Sequence, residues 1–250
     1  MSQSISYSQP LSTVVAYNRK RRATYAPGKG KKAKTVKVVS VPRPKFSSRT
    51  IQGTFPAKKR VTLTYVEYFS QTPSVSGAAS GQTFRLNSPF DPNQSGVGHQ
   101  AMGLDQWAQF YSRYTVLSAK ITYSAASIDS LVKSAIHGIV IHNPTTSLPS
   151  STDIAALSED DDGVHGFIPH DGTTSVLSKN VDVGKYFSIT NPLDDDTLQA
   201  VVTAVPARQL FAYCWLACAP GTLTAGGLTS FMVRISYDVV FTEPKDLPLS

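Results

Sequence analysis

Fifteen lysines and arginines precede the first carboxylate of this 250-residue chain. They are Arg19, Lys20, Arg21, Arg22, Lys29, Lys31, Lys32, Lys34, Lys37, Arg43, Lys45, Arg49, Lys58, Lys59 and Arg60, and the first acidic residue is Glu67. Residues 1–60 therefore carry +15, whereas residues 61–250, with nine basic against seventeen acidic residues, carry −8. A block of like charge cannot collapse into a core, because repulsion and desolvation outweigh its few apolar contacts. Pro10, Pro27, Pro42, Pro44 and Pro56 remove further amide donors, so this arm is expected to be disordered or extended when free. Its chemistry is phosphate neutralisation: counterion release makes such binding strong, salt-sensitive and indifferent to base sequence. Tyr7, Tyr17, Tyr25 and Phe46 lie among the cations and could stack on unpaired bases, which favours single strands. Arg19-Lys20-Arg21-Arg22 also has the composition of a nuclear-import signal.

Other spacings that could do chemistry are incomplete. Gly28-Lys29-Gly30-Lys31-Lys32-Ala33-Lys34-Thr35 approaches a phosphate-binding loop but has Ala33 at the second glycine, with no strand before it and no helix after. His99, His137, His142, His165 and His170 include no His-x-His pair, and on a strand His137 and His142 would face opposite ways. There is neither a Gly-x-Ser-x-Gly elbow nor a His-Glu-x-x-His. No catalytic residue and no cofactor is implied. Asp160, Asp161 and Asp162 with Glu159, and Asp194, Asp195 and Asp196, are dense enough in hard oxygen ligands to raise calcium at a subunit contact, against the ordinary reading of solvated loops. Cys214 and Cys218 match no standard zinc spacing and read as reduced core thiols on one strand face.

The elements that must carry these residues are strands. From Val61 onward, short runs of Val, Ile, Thr, Tyr and Phe alternate with Gly, Pro, Asn, Asp and Ser clusters. Phe231, Val233, Ile235, Tyr237, Val239 and Phe241 form an unbroken period-two face. Leu117, Ala119, Ile121 and Tyr123 give a second such face within 114–125, and Val61, Leu63 and Tyr65 begin a third within 61–69. Further strands are expected at 82–87, 135–142, 173–179, 198–204 and 208–218, the segment 198–204 being the weakest. Leu210–Ala219 has no polar face, so it should be covered on both sides, either within the sandwich or by another subunit. At ten residues it is also the longest apolar run, about half of what a membrane-spanning helix needs. No membrane association is expected, and the polar first eighteen residues do not resemble a secretory signal. Helical period occurs only at 104–111, and 143–172 reads as exposed loop open to outside contacts. About eight strands with unequal connections predict an all-β, eight-stranded jelly-roll β-sandwich over 61–250, with 1–60 as a separate basic arm.

A resemblance rests on particular residues. Asn87-Ser88-Pro89-Phe90-Asp91-Pro92, then Gly98-His99-Gln100 with Gly103, Asp105-Gln106-Trp107, and Tyr111 with Tyr114 and Val116 follow one another in that order. The closing strand carries Ile235-Ser236-Tyr237, Val239, Phe241 and Pro244. Together with the basic arm, these resemble the capsid proteins of small circular Rep-encoding single-stranded DNA viruses, the circovirus-like group, whose jelly roll is similar to that of satellite tobacco necrosis virus. The match is densest over 61–125. The resemblance implies identical subunits, about 60 in a T=1 icosahedral shell, arms inward on a single-stranded DNA genome, assembly in the host nucleus, and host import and cell-surface receptors as further partners. About 60 arms would bring about 900 positive charges, which condense a genome longer than about a kilobase without fully balancing it. The physical reading beside it is a rigid, turn-rich connection with Trp107, Tyr111 and Tyr114 as packing area, serving one subunit or a contact between subunits. The alternative function is a cellular nuclear nucleic-acid-binding or chaperone-type β-sandwich protein; a jelly-roll enzyme or lectin with a targeting tail is a third reading.

Overall fold

The structure is a computed structural model that describes residues 55–73, 78–127, 135–143, 153–169, 171–218 and 228–246. Its strands are β1 (Lys58–Gln71), β2 (Ser80–Arg85), β3 (Tyr111–Ser127), β4 (Ala135–His142), β5 (Gly163–Ile168), β6 (Ser175–Asp182), β7 (Gln199–Val201), β8 (Phe211–Cys218) and β9 (Thr229–Pro244). Short helices are α1 (Leu104–Ala108), α2 (Ile154–Ser158) and α3 (Val183–Tyr186), followed by a 3₁₀ turn at Pro192–Asp194. One sheet has the order β1-β9-β3-β6 with β7 added to β3, and the other has the order β2-β8-β4-β5. All pairings are antiparallel. The pairs nest: β4 with β5, β3 with β6, β2 with β8, β1 with β9. A long antiparallel ribbon wrapped on itself in this way is a jelly roll.

The alternation of β9 is realised in full. Phe231, Val233, Ile235, Tyr237, Val239 and Phe241 are all buried between the sheets. Strand β1 pairs with β9 without a break from Lys58↔Thr242 to Gln71↔Thr229, so it begins three residues before the expected Val61. Leu63 and Tyr65 point into the core beside Phe84, Ile121, Tyr123 and Ile139. Several tyrosine hydroxyls that enter this core find acceptors, as buried polar groups usually do, whereas the buried Tyr123 hydroxyl has no hydrogen-bond partner among the described residues. Tyr237 donates to the Arg85 carbonyl at 2.7 Å and Tyr114 to the Ala204 carbonyl at 2.8 Å. Burial pushes the hydroxyl pKa of Tyr237 and of Tyr114 up.

Four expectations are corrected. In β3 the register shifts between Val116 and Ser118, so Leu117 is only half-buried, while Tyr114 and Val116 precede the bulge on the core face and Ala119, Ile121 and Tyr123 follow it. A bulge adds a residue and reverses the parity of every side chain beyond it. The segment 143–172 is not one loop, because it contains α2 and the edge strand β5. The expected eighth strand at 198–204 shrinks to the three-residue β7, and β5 takes its place among the eight strands of the roll. The helix at 104–111 is not alone: α2 and α3 have five and four residues, too few for a 3.6-residue period, and Asp153 and Asp182 cap their N-termini.

Strand β8 is buried at every position. Ala212, Cys214 and Leu216 face the main core. Tyr213, Trp215 and Ala217 form a second cluster with Ile136, Val140 and Leu157 of α2. The chain itself thus covers both faces of β8. Gly138 lies under Trp215, where an added Cβ would sit 2.4 Å from the indole ring.

Candidate nucleic-acid interface

Of the arm's cations, Arg19, Lys20, Arg21, Arg22, Lys29, Lys31, Lys32, Lys34, Lys37, Arg43, Lys45 and Arg49 lie outside the described residues, and with them the import-signal stretch. Lys58, Lys59 and Arg60 open β1 and are exposed. Lys59 Nζ stands 5.8 Å from the centre of the Trp107 ring. Arg60 forks onto Asp238, with Nε donating to Oδ1 at 2.7 Å and Nη2 to Oδ2. The hydrogen bond and charge of Asp238 hold the Arg60 guanidinium above its ordinary pKa. Its fork is therefore occupied by a partner in the same sheet.

The turn-rich motif makes a set of contacts within the chain. Asn87 is buried, donates from Nδ2 to the Arg208 carbonyl at 2.7 Å and accepts the Leu210 amide at 2.9 Å. Its side chain stitches the end of β2 to the start of β8. Asn93 donates from Nδ2 to both oxygens of Glu67 at 3.1 and 3.0 Å, and Tyr65 donates to the same carboxylate. The Met102 amide donates to the Thr64 carbonyl at 3.0 Å, laying the loop along the edge of β1. Gly103, at φ 91°, closes the loop and starts α1, a backbone region where glycine alone is unstrained. Trp107 stacks on Phe241 with centroids 5.9 Å apart. Residues 94–99 form an exposed tip.

The carboxylate clusters are occupied locally. Asp160 Oδ1 accepts the Asp162 amide at 2.8 Å, and Asp162 lies 3.9 Å from Lys179 Nζ. Asp194 accepts from Asn191 at 2.6 Å, while Asp195 accepts the Thr197 amide and hydroxyl, which lowers its pKa. Asp161 and Asp196 are exposed. Among the described residues no three His, Cys, Asp or Glu side chains come together to hold a metal ion. Cys214 and Cys218 are free and buried, and burial raises both thiol pKa values.

His137 and His142 face opposite ways. His137 points between the sheets, bonded through Nε2 to Ser175 Oγ at 2.8 Å, and burial lowers its pKa to about 4. His142 stacks on Phe211 with centroids 5.4 Å apart, and burial lowers its pKa too.

Sequence reasoning left out the outer face of the larger sheet. Since Leu63, Tyr65, Ala119, Ile121, Tyr123, Val233 and Ile235 point inward, Tyr68, Lys120 and Arg234 point outward. Register aligns them: Lys120 lies opposite Ser236, Arg234 opposite Thr122 and Val66, and Tyr68 opposite Met232. They occupy successive rows of three adjacent strands, a diagonal whose steps are about 7–8 Å. All three are exposed, Tyr68 at 74%. The available signal was the even-numbered positions of the 231–242 pattern, but only pairing shows which residues adjoin. Beside the diagonal lies a groove of about 980 Å³ whose charged lining, Lys120, Lys179, Lys185, Asp162, Asp182 and Asp238, is balanced in sign.

Solved structures similar to this chain include viral ones. A tobacco necrosis virus structure shares 13% identity over 77% of this chain and 85% of that one, with a TM-score of 0.48. The BFDV capsid protein, solved as a decamer, shares 14% identity over 74% of this chain and 99% of that one, with a TM-score of 0.42. The giant freshwater prawn nodavirus, solved as a semi-empty virus-like particle, shares 11% identity over 77% and 97%, with a TM-score of 0.42. No protein-family model matches the chain, and comparison with curated proteins finds no match. The strand order, rather than these likenesses, defines the fold.

Proposed function

We propose that this chain is a viral capsid protein: copies of the jelly roll associate into a small T=1 shell, and the basic N-terminal segment condenses a single-stranded DNA genome inside it. One observation carries the reading. Residues 1–57, of net charge +12, are joined to a jelly roll that begins at Lys58 and whose own residues sum to −5, so the two parts have opposite affinities for a polyanion. The role of the sandwich is structural, and its partners are copies of itself. Arg19–Arg22 would serve import to the host nucleus before assembly, with the virion as the final location.

Sedimentation of full-length protein at low and high salt, together with its 260/280 nm absorbance ratio before and after nuclease, tests this. The expected result is a large particle of uniform size that carries nucleic acid. A single subunit free of nucleic acid at low salt overturns the reading. A small oligomer that binds nucleic acid without closing into a shell favours the cellular nucleic-acid-binding alternative.

A further inference from the structure

The sandwich does not share its net negative charge evenly between its faces. Residues 134–178 contain no lysine or arginine and six carboxylates, Asp153, Glu159, Asp160, Asp161, Asp162 and Asp171. This stretch supplies β4 and β5 of the four-stranded sheet, α2 that covers part of its outer face, and the first residues of β6; of its carboxylates, Asp162 pairs with Lys179 of β6. The outer face of the five-stranded sheet carries Lys58, Arg60, Arg113, Lys120 and Arg234 against Asp182 and Asp238 among its described strand residues, with Arg113 paired to Glu243. Both aspartates flank Lys120 diagonally, yet Asp238 is held by Arg60 and Asp182 caps α3 through the Lys185 amide. Lys120 and Arg234 have no ion-pair partner among the described residues.

Resting on the capsid reading, we infer that the outer face of the five-stranded sheet is a contact surface for unpaired nucleic acid and looks toward the cargo, while the acidic four-stranded side looks away. Lys120 and Arg234 take adjacent phosphates of one strand, and Tyr68, at the end of the same diagonal, stacks on a base. Ser236 beside Lys120 and Thr122 beside Arg234 add hydroxyl donors to backbone oxygens. The partner is a single strand because a duplex keeps its bases stacked on one another and offers none to Tyr68. Nothing in the diagonal reads base identity, as a packaging surface requires.

The test measures oligo(dT) binding by full-length protein across a salt series, comparing the wild type with the double variant Lys120→Glu, Arg234→Glu, with Tyr68→Ala, and with Phe167→Ala as the control on the exposed opposite side. Thermal melts check folding, which exposed substitutions leave intact. Loss of two phosphate contacts lowers the magnitude of the log–log salt slope by about 1.4. Tyr68→Ala weakens binding about tenfold, and Phe167→Ala leaves it unchanged. If the double variant keeps the wild-type slope while particles still form and carry nucleic acid, the face assignment is overturned and the capsid reading stands. If wild-type protein ignores oligo(dT) at every salt concentration, both fall.

Discussion

The outer faces of the two sheets are built from equally regular strands and yet are opposites. On the four-stranded sheet Tyr213, Trp215, Ile136 and Val140 are roofed by Leu157 and Ala79. On the five-stranded sheet Thr62, Ser70, Ser178 and Asn180 stay open to solvent around Lys120, Arg234 and Tyr68. The first face is a second core, and its side chains act on stability. The second is a surface whose side chains are free for a partner. The difference teaches that an all-apolar strand such as β8 needs cover from its own chain, whereas strands alternating strictly, such as β9, leave one face to be used.

The comparison breaks first at Trp215. Trp215→Ala should lower unfolding free energy by about 3–5 kcal/mol in denaturant titration, since it empties the centre of the roofed cluster. A loss no larger than that of an exposed residue would mean that the roof does not form. Next is the histidine between the sheets. As pH falls, the unfolded chain protonates His137 near its ordinary value of about 6.5 and the folded chain only near about 4, so stability is flat above that window and falls within it. The total loss is about 3.5 kcal/mol at most, at about 1.4 kcal/mol per pH unit. His137→Gln should flatten the melting profile between those limits, leaving a smaller slope of the same sign from His142. Gly138→Ala drives a methyl into the Trp215 ring and should cost about 1–3 kcal/mol, with the damage confined to the four-stranded side as read by hydrogen exchange. On the open face, Lys120→Ala with Arg234→Ala should change stability by no more than about 0.5 kcal/mol, the smallest effect of the series.

How much could be read ahead differs from strand to strand. Phe231 to Phe241 declared both a strand and its buried face, because side chains alternate wherever the backbone is extended. Leu117 carried the same signal and was misleading, since the bulge before Ser118 is a property of the pairing of β3 with β9. Strand β5 was hidden by Gly163 and Gly166 and by the outward Phe167, an edge strand with little apolar alternation to announce it. For the candidate interface, the cations through Arg60 were evident from composition, but Arg60's pairing with Asp238 and the Lys120–Arg234–Tyr68 diagonal were not. Those residues are separated by tens of positions along the chain, and no local period connects them.

The order of residues by itself determined the opposition of charge between a polycationic leader and an acidic β domain, the β class, and most strand positions, because charge density and side-chain alternation are local quantities. Tertiary structure alone decided that the ribbon winds so that β1 meets β9, that α2 roofs β8, and that two cations and a tyrosine from three strands share one diagonal. The physical reason is register: hydrogen-bonded pairing sets which distant residues stand side by side, and a shift of one position would have turned each of them to the other face.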